Sequence, residues 1–327
     1  MTQPKKNNNK LPDDAGRAKS KPTRKATPPR AGMASRVLSH EGSRLSVRKT
    51  YKLYIGGAFP RSESGRTYSV ADTEGMFVAN VARASRKDVR DAVTAAAKAF
   101  GGWAARTPYN RGQILYRVAE MLEGRRAQFA DELVTTEGVG RGRAEQAVDA
   151  AVDRWVWYAG WADKYAQVAG ATNQVSGPFL NLSTPEPAGV VGVLAPPKAP
   201  LLGLVSVVAP VIATGNTCVL LASPSHPLAA VTLAEVLATS DLPGGVVNLL
   251  TGQTAELAPW LASHEEVRGL DLTGADPADA VEWEILAAAN LKRVRRPDPL
   301  EDWSAAPALS RLTTFVETKT VWHPIGL

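Results

Sequence analysis

The sequence predicts an α/β fold, a parallel sheet with helices on both faces, and three observations carry that expectation. From about residue 189 to 297, short and wholly apolar runs alternate with longer amphipathic stretches. The runs are too short for helices and lack the polar alternation of half-exposed strands, as expected of strands buried on both faces. Gly, Pro, Asn or Ser separates each run from the next helical pattern, as βα and αβ loops require.

Order is expected to begin near Tyr51. Lys52-Leu53-Tyr54-Ile55 before Gly56-Gly57 reads as a strand and tight turn, and Thr67-Tyr68-Ser69-Val70 as a second strand. Ser85 and Asp88 form a capping-box pattern, so a helix should follow and stop at Gly101-Gly102. Further helices fit 110–123 and 143–165, the latter ending in the core aromatics Trp155, Trp157, Tyr158 and Trp161. The expected sheet strands are 189–195, 217–221, 246–250, 268–272 and a weaker 292–295. Helices at 201–213, 228–239, 255–262 and 278–291 lie between them. With right-handed crossovers this is a Rossmann-type unit.

The charge is uneven. Residues 1–49 hold 13 Lys and Arg against 3 Asp and Glu, and the rest of the chain holds 25 against 29. The basic segment is rich in Asn, Pro, Ser and Lys and is expected to be disordered. It lacks the interleaved aromatics that stack on bases, so nucleic acid is an expected partner only through this tail, if at all. A single cysteine excludes a disulfide framework and suits a cytoplasmic location. No membrane span and no secretory signal are expected. That cysteine, Cys218, sits in the apolar run Thr217-Cys218-Val219-Leu220-Leu221 and reads as a buried, inert side chain. His40, His226, His264 and His323 show no metal or triad spacing, so no metal is expected.

Several segments together resemble the aldehyde dehydrogenase superfamily. They are Leu53-Tyr54-Ile55-Gly56-Gly57, Arg111-Gly112-Gln113-Ile114-Leu115, Tyr158-Ala159-Gly160-Trp161-Ala162-Asp163-Lys164, Glu186-Pro187-Ala188-Gly189-Val190-Val191-Gly192, Ala213-Thr214-Gly215-Asn216-Thr217 and Leu242-Pro243-Gly244-Gly245-Val246-Val247-Asn248. The resemblance implies a nucleotide-binding domain for NAD(P), at 50–173 and 189–297. It also implies oligomerisation β elements at 174–188 and 309–327.

The departures from that pattern fall where chemistry is expected. The family's Pro-Trp-Asn, whose Asn stabilises an oxyanion, reads Pro196-Pro197-Lys198 here. Its Lys-Pro-Ser/Ala-Glu ribose anchor reads Leu221-Ala222-Ser223-Pro224. Its Gly-Ser-x-x-x-Gly pyrophosphate turn keeps Gly274 but reads Gly274-Ala275-Asp276-Pro277-Ala278-Asp279, which adds negative charge where phosphate would lie. Where the resemblance implies a Glu-Leu-Gly-Gly general base and a domain carrying a nucleophilic Cys, residues 298–308 form a short linker instead. No catalytic residue is therefore assigned. Pro196, Lys198, Leu221, Pro224 and Gly274 stand only as degenerate cofactor positions, with NAD(P) the one cofactor in question. The oligomerisation elements keep Phe179, Leu180, Leu182, Phe315, Val316, Val321 and Trp322 as candidate contacts. The expected role is a structural or regulatory partner, in a homo- or hetero-oligomer with a complete aldehyde dehydrogenase. The alternative is an NAD(P)-dependent oxidoreductase acting on aldehydes.

Overall fold

The computed structural model describes residues 49–326; the basic segment expected to be disordered lies, apart from Lys49, outside them. The chain opens with a small sheet of β1 (Thr50–Tyr51), β2 (Thr67–Ala71) and β3 (Phe77–Ala82), in the order β1-β3-β2. The strand expected at Lys52–Ile55 is reduced to bridges. Tyr54 exchanges backbone hydrogen bonds with Leu249, and Ile55 does so with Ala58 across the Gly56-Gly57 turn.

Four main helices follow, α1 (Arg86–Ala104), α2 (Pro108–Glu123), α3 (Arg126–Glu137) and α4 (Arg141–Trp161), then the short α5 (Tyr165–Ala169). Ser85 and Asp88 make the expected capping box. α1 nevertheless continues through Gly101-Gly102, because its buried face extends to Trp103, whose indole N–H donates to the Ile212 carbonyl at 3.0 Å. Helix propensity is a weak preference beside such an anchored aromatic. α4 ends at Trp161, short of the expected Tyr165, which begins α5.

A hairpin of β4 (Ala171–Asn173) and β5 (Phe179–Pro187) leads into the central sheet. That sheet alternates β6 (Val190–Leu194), α6 (Leu202–Ala213), β7 (Thr217–Leu221), α7 (Leu228–Leu237), β8 (Val247–Leu250), α8 (Thr254–Ser263), β9 (Val267–Asp271), α9 (Pro277–Ala288) and β10 (Arg293–Arg295). Its five strands are parallel in the order β10-β9-β6-β7-β8, as the apolar runs predict. Side chains alternate between two cores. Val191, Val193, Cys218 and Leu220 face α6, α7 and the α2–α4 layer, while Val190, Leu194, Val219 and Leu221 face α1, α8 and α9.

The chain closes with α10 (Ser310–Thr313) and β11 (Val316–Pro324). The extended segment expected from 309 or 312 therefore starts later. Arg311 and Leu312 are buried in a helical turn, and only then does the chain extend. β11 pairs antiparallel with β5 along its length, in a third sheet ordered β11-β5-β4.

Candidate functional site

In an open parallel sheet, ligands bind beyond the carboxyl ends of the strands where the strand order reverses. Here that point is the carboxyl end of β6, flanked by β9 on one side and β7 on the other. A cavity of about 470 Å³ lies there. Its walls are Pro196, Pro197 and Lys198 after β6, residues 273–277 after β9, and Pro297, Asp298, Pro299, Glu301 and Trp303 after β10. Of the positions singled out in the sequence, Pro196, Lys198 and Gly274 meet in this crevice. Leu221 does not line it. It is buried within β7, in register with Leu194 and Leu250. Pro224 lies in the loop after β7, beside Ser223 and Ser225, whose hydroxyls bond each other at 3.0 Å.

Gly274 is required by close approach. Its N–H donates to the Leu194 carbonyl at 3.1 Å, and a Cβ there would stand 2.1 Å from the Ala195 oxygen. The start of α9 is thus pressed against the end of β6. The donors at that start are few. Pro277 at the first helical position has no N–H, and the Ala278 N–H is taken by the Asp276 carboxylate at 2.9 Å. Asp279 adds a further negative group in the first turn. The crevice sets exposed Lys198 against Asp276, Asp298 and Glu301. This donor set does not fit a dinucleotide pyrophosphate, which needs free N–H groups and positive potential at the helix start.

The segment 297–305 forms a strap over the crevice and is clamped by two buried arginines. Arg154 of α4 donates to the carbonyls of Trp303 (2.9 Å) and Ala305 (3.0 Å) and to Ser206 Oγ (2.9 Å). Arg311 of α10 binds Glu301 and stands 3.4 Å from Asp271 at the end of β9, with its guanidinium 5.3 Å from the Trp303 ring centre. Burial raises the Asp271 carboxyl above its ordinary range, and Arg311 and the bonds from Thr273 offset part of that rise. The Trp303 ring packs on Gly203 in the first turn of α6. Arg154, Asp271, Arg311 and Trp303 carry no separate signal in the sequence, because the pattern Asp298-Pro299-Leu300-Glu301-Asp302 reads only as a linker.

Cys218 lies in the middle strand β7 with no exposed surface, and burial pushes its thiol up to about 12. A thiolate is the reactive form of cysteine, and burial disfavours that form here. Among the described residues, no group of three His, Cys, Asp or Glu side chains is placed to hold a metal. No described helix is long and apolar enough to cross a membrane.

The residues behind the resemblance are mostly structural staples. Arg111, buried, donates to the carbonyls of Ala213 (3.1 Å) and Arg106 (2.7 Å). Asn216 accepts from Gly189 N–H and donates to the Phe315 carbonyl, both at 2.9 Å. Asn248 accepts from Gly56 N–H at 2.9 Å and donates to the Gly245 carbonyl at 2.8 Å. Gly57 and Gly244 bring backbone against backbone, since a Cβ on Gly57 would meet Gly244 Cα at 2.9 Å.

The proposed contact residues divide. Phe179, Leu180, Leu182, Val321 and Trp322 are exposed on the β5–β11 ribbon. Phe315 and Val316 are not. Phe315 packs against Gly269 of β9, where a Cβ would lie 2.5 Å from its ring, and Val316 belongs to the same core. These two serve internal packing, because the helical turn of α10 directs the chain into the sheet before it extends.

Residues 59–295 match the aldehyde dehydrogenase family. Cytosolic 10-formyltetrahydrofolate dehydrogenase of Xenopus tropicalis is 33% identical over 264 residues, which are 78% of this chain and 29% of that one. The human mitochondrial 10-formyltetrahydrofolate dehydrogenase is 32% identical over 267 residues, 79% of this chain and 28% of its own. The chain thus spans under a third of the length of these curated relatives. Among solved structures, HpcC from Thermus thermophilus superposes with a TM-score of 0.72 at 32% identity, covering 75% of this chain and 47% of that one. The NAD+ complex of an aldehyde dehydrogenase from Bacillus cereus gives 0.71 at 28% identity, covering 75% and 50%.

Proposed function

The chain belongs to the aldehyde dehydrogenase family, and from that premise we propose that it is a non-catalytic member, a structural or regulatory subunit that assembles with a complete dehydrogenase. The observation that carries this reading is the nine-residue strand β11. It is bonded to β5 on one side and is an edge of its sheet on the other. An edge of this length presents a row of unpaired backbone groups that a partner strand can satisfy. Each face of the ribbon carries exposed apolar side chains toward the end where residues 179–182 meet residues 321–324. Leu182 stands opposite Val321 on one face, and the rings of Phe179 and Trp322 meet on the other, 5.9 Å apart.

The chemistry expected of the family finds little support in the crevice. Lys198 stands where the resemblance places an oxyanion-holding Asn, and losing such a donor costs about 10²–10³ in turnover. The only thiol is buried in β7, and the strap occupies the stretch where the resemblance places a catalytic domain.

The test is the native mass of the tagged full chain purified from its own cells, with identification of what co-purifies. A complete aldehyde dehydrogenase in fixed proportion is the expected result. A peak holding this chain alone would remove the proposed role. Aldehyde-dependent reduction of NAD or NADP by the pure chain would instead support an oxidoreductase.

A further inference from the structure

Away from the crevice, Lys52, Arg61 and Arg66 converge at one end of the β1-β3-β2 sheet. Tyr51 pairs with Val81 in parallel register and Thr67 pairs with Ala82 in antiparallel register. Lys52 after β1 and Arg66 before β2 therefore leave their strands at the same end of β3. The Leu53 N–H donates to the Pro60 carbonyl at 3.1 Å, which returns Arg61 to the side of Lys52. A tight turn closed by Gly65 N–H to the Ser62 carbonyl, 2.9 Å, separates the two arginines.

The three side chains line a cavity of about 270 Å³, together with Thr50, Ser62 and Thr67. All three are exposed, and none forms an ion pair with a described residue. The neighbouring carboxylates are engaged elsewhere. Glu63 pairs with Lys87. Asp88 is buried behind Ser62, accepting from Ser62 Oγ (2.8 Å), Glu63 N–H (3.0 Å) and Ser85 N–H (2.7 Å). The cavity is thus lined by three cations with no counter-charge among the described residues, which concentrates anions there.

We propose that this cavity binds a condensed phosphate chain, a di- or triphosphate, either free or carried on a small molecule. Arginine forks hold phosphate oxygens two at a time, lysine adds a point charge, and the Thr50 and Thr67 hydroxyls can donate. Three cations around one cavity suit successive phosphoryl groups better than a single carboxylate. The cavity has the scale of a small anion and lies on a different sheet from the strapped crevice.

The experiment is calorimetric titration of the full chain with inorganic tripolyphosphate at low salt, with ATP in a second arm. Saturable one-site binding that weakens as salt is added is expected. The double variant Arg61→Ala/Arg66→Ala should bind at least about tenfold more weakly, since two charge-assisted contacts are lost. Equal affinity for both ligands would mean that the phosphate chain alone is read, and tighter ATP binding that the carrier also makes contact. Because the side chains are exposed, unfolding midpoints should match the parent. Lys52→Ala, expected to weaken binding by about threefold, is an independent variant should the double one fail to fold. No saturable binding would overturn the proposal. So would affinity unchanged in the variants, which would assign binding to the basic residues 1–48.

Discussion

Cys218 shows how burial withholds a thiol from reaction. Its strand is buried on both faces, its neighbours are apolar, and its thiol is pushed up to about 12. At neutral pH the thiol form then prevails, and the side chain has no exposed surface for a reagent to meet. A disulfide reagent such as Ellman's should therefore leave the native chain unmodified over hours and titrate one thiol once denaturant unfolds it. Rapid labelling of the native chain would contradict this and reopen a cysteine mechanism. Asn216 and Asn248 teach the complementary lesson. Each sits in a segment matching the family, and each spends its amide joining backbone segments far apart in sequence. The matched residues here preserve architecture, holding distant backbone segments together.

Among the elements, the strap is fixed by charge-assisted bonds more than by packing. Arg154 serves two strap carbonyls and one hydroxyl on α6. Arg154→Met keeps much of the side-chain volume but removes those donors, and hydrogen bonds from a charged group are worth about 1.5–3 kcal/mol. The expected outcome is faster hydrogen exchange and proteolysis confined to 297–309, with central-sheet amides still protected. Uniform loss of protection would instead make Arg154 a staple of the whole core. The sequence predicts the central elements well, because a wholly buried strand is an unbroken apolar run. The edges are less legible. α3 has no side-chain cap, and although its buried Phe129, Ala130, Leu133 and Thr136 recur at helical spacing, Val134 and Thr135 off that face blur the contrast that would announce a helix. β3 and β4 escape the sequence reading for a related reason, being short strands with mixed burial. At the other end, Thr313-Thr314-Phe315 has strand composition, yet the burial of Arg311 and Leu312 wins and forms α10. The strap is invisible in the sequence because Arg154 is remote from it along the chain, and Arg311, though near, sits in a stretch with strand composition.

At the scale of the whole chain, the described residues contain two cores on either side of one parallel sheet, and a ribbon that neither core covers. Trp322, Leu180 and Leu182 remain between 44% and 57% exposed, on a three-stranded sheet with apolar groups on both faces. Burying such groups is worth about 25 cal/mol per Å², so association through the ribbon has a driving force whether the partner is a second copy or a longer dehydrogenase. The pair Leu182 and Val321 permits a test that spares the fold. Leu182→Lys with Val321→Glu keeps an attractive cross-strand pair, so the β5–β11 ladder should persist and the unfolding midpoint should stay near that of the parent. The apolar face is lost, however, and charges on an associating surface must be desolvated at a cost of several kcal/mol. The native mass of the variant should therefore fall to that of one 34.7 kDa chain, and any dehydrogenase that co-purifies with the parent should be absent. Assembly that survives both charges would place the contact elsewhere and leave the ribbon as exposed surface.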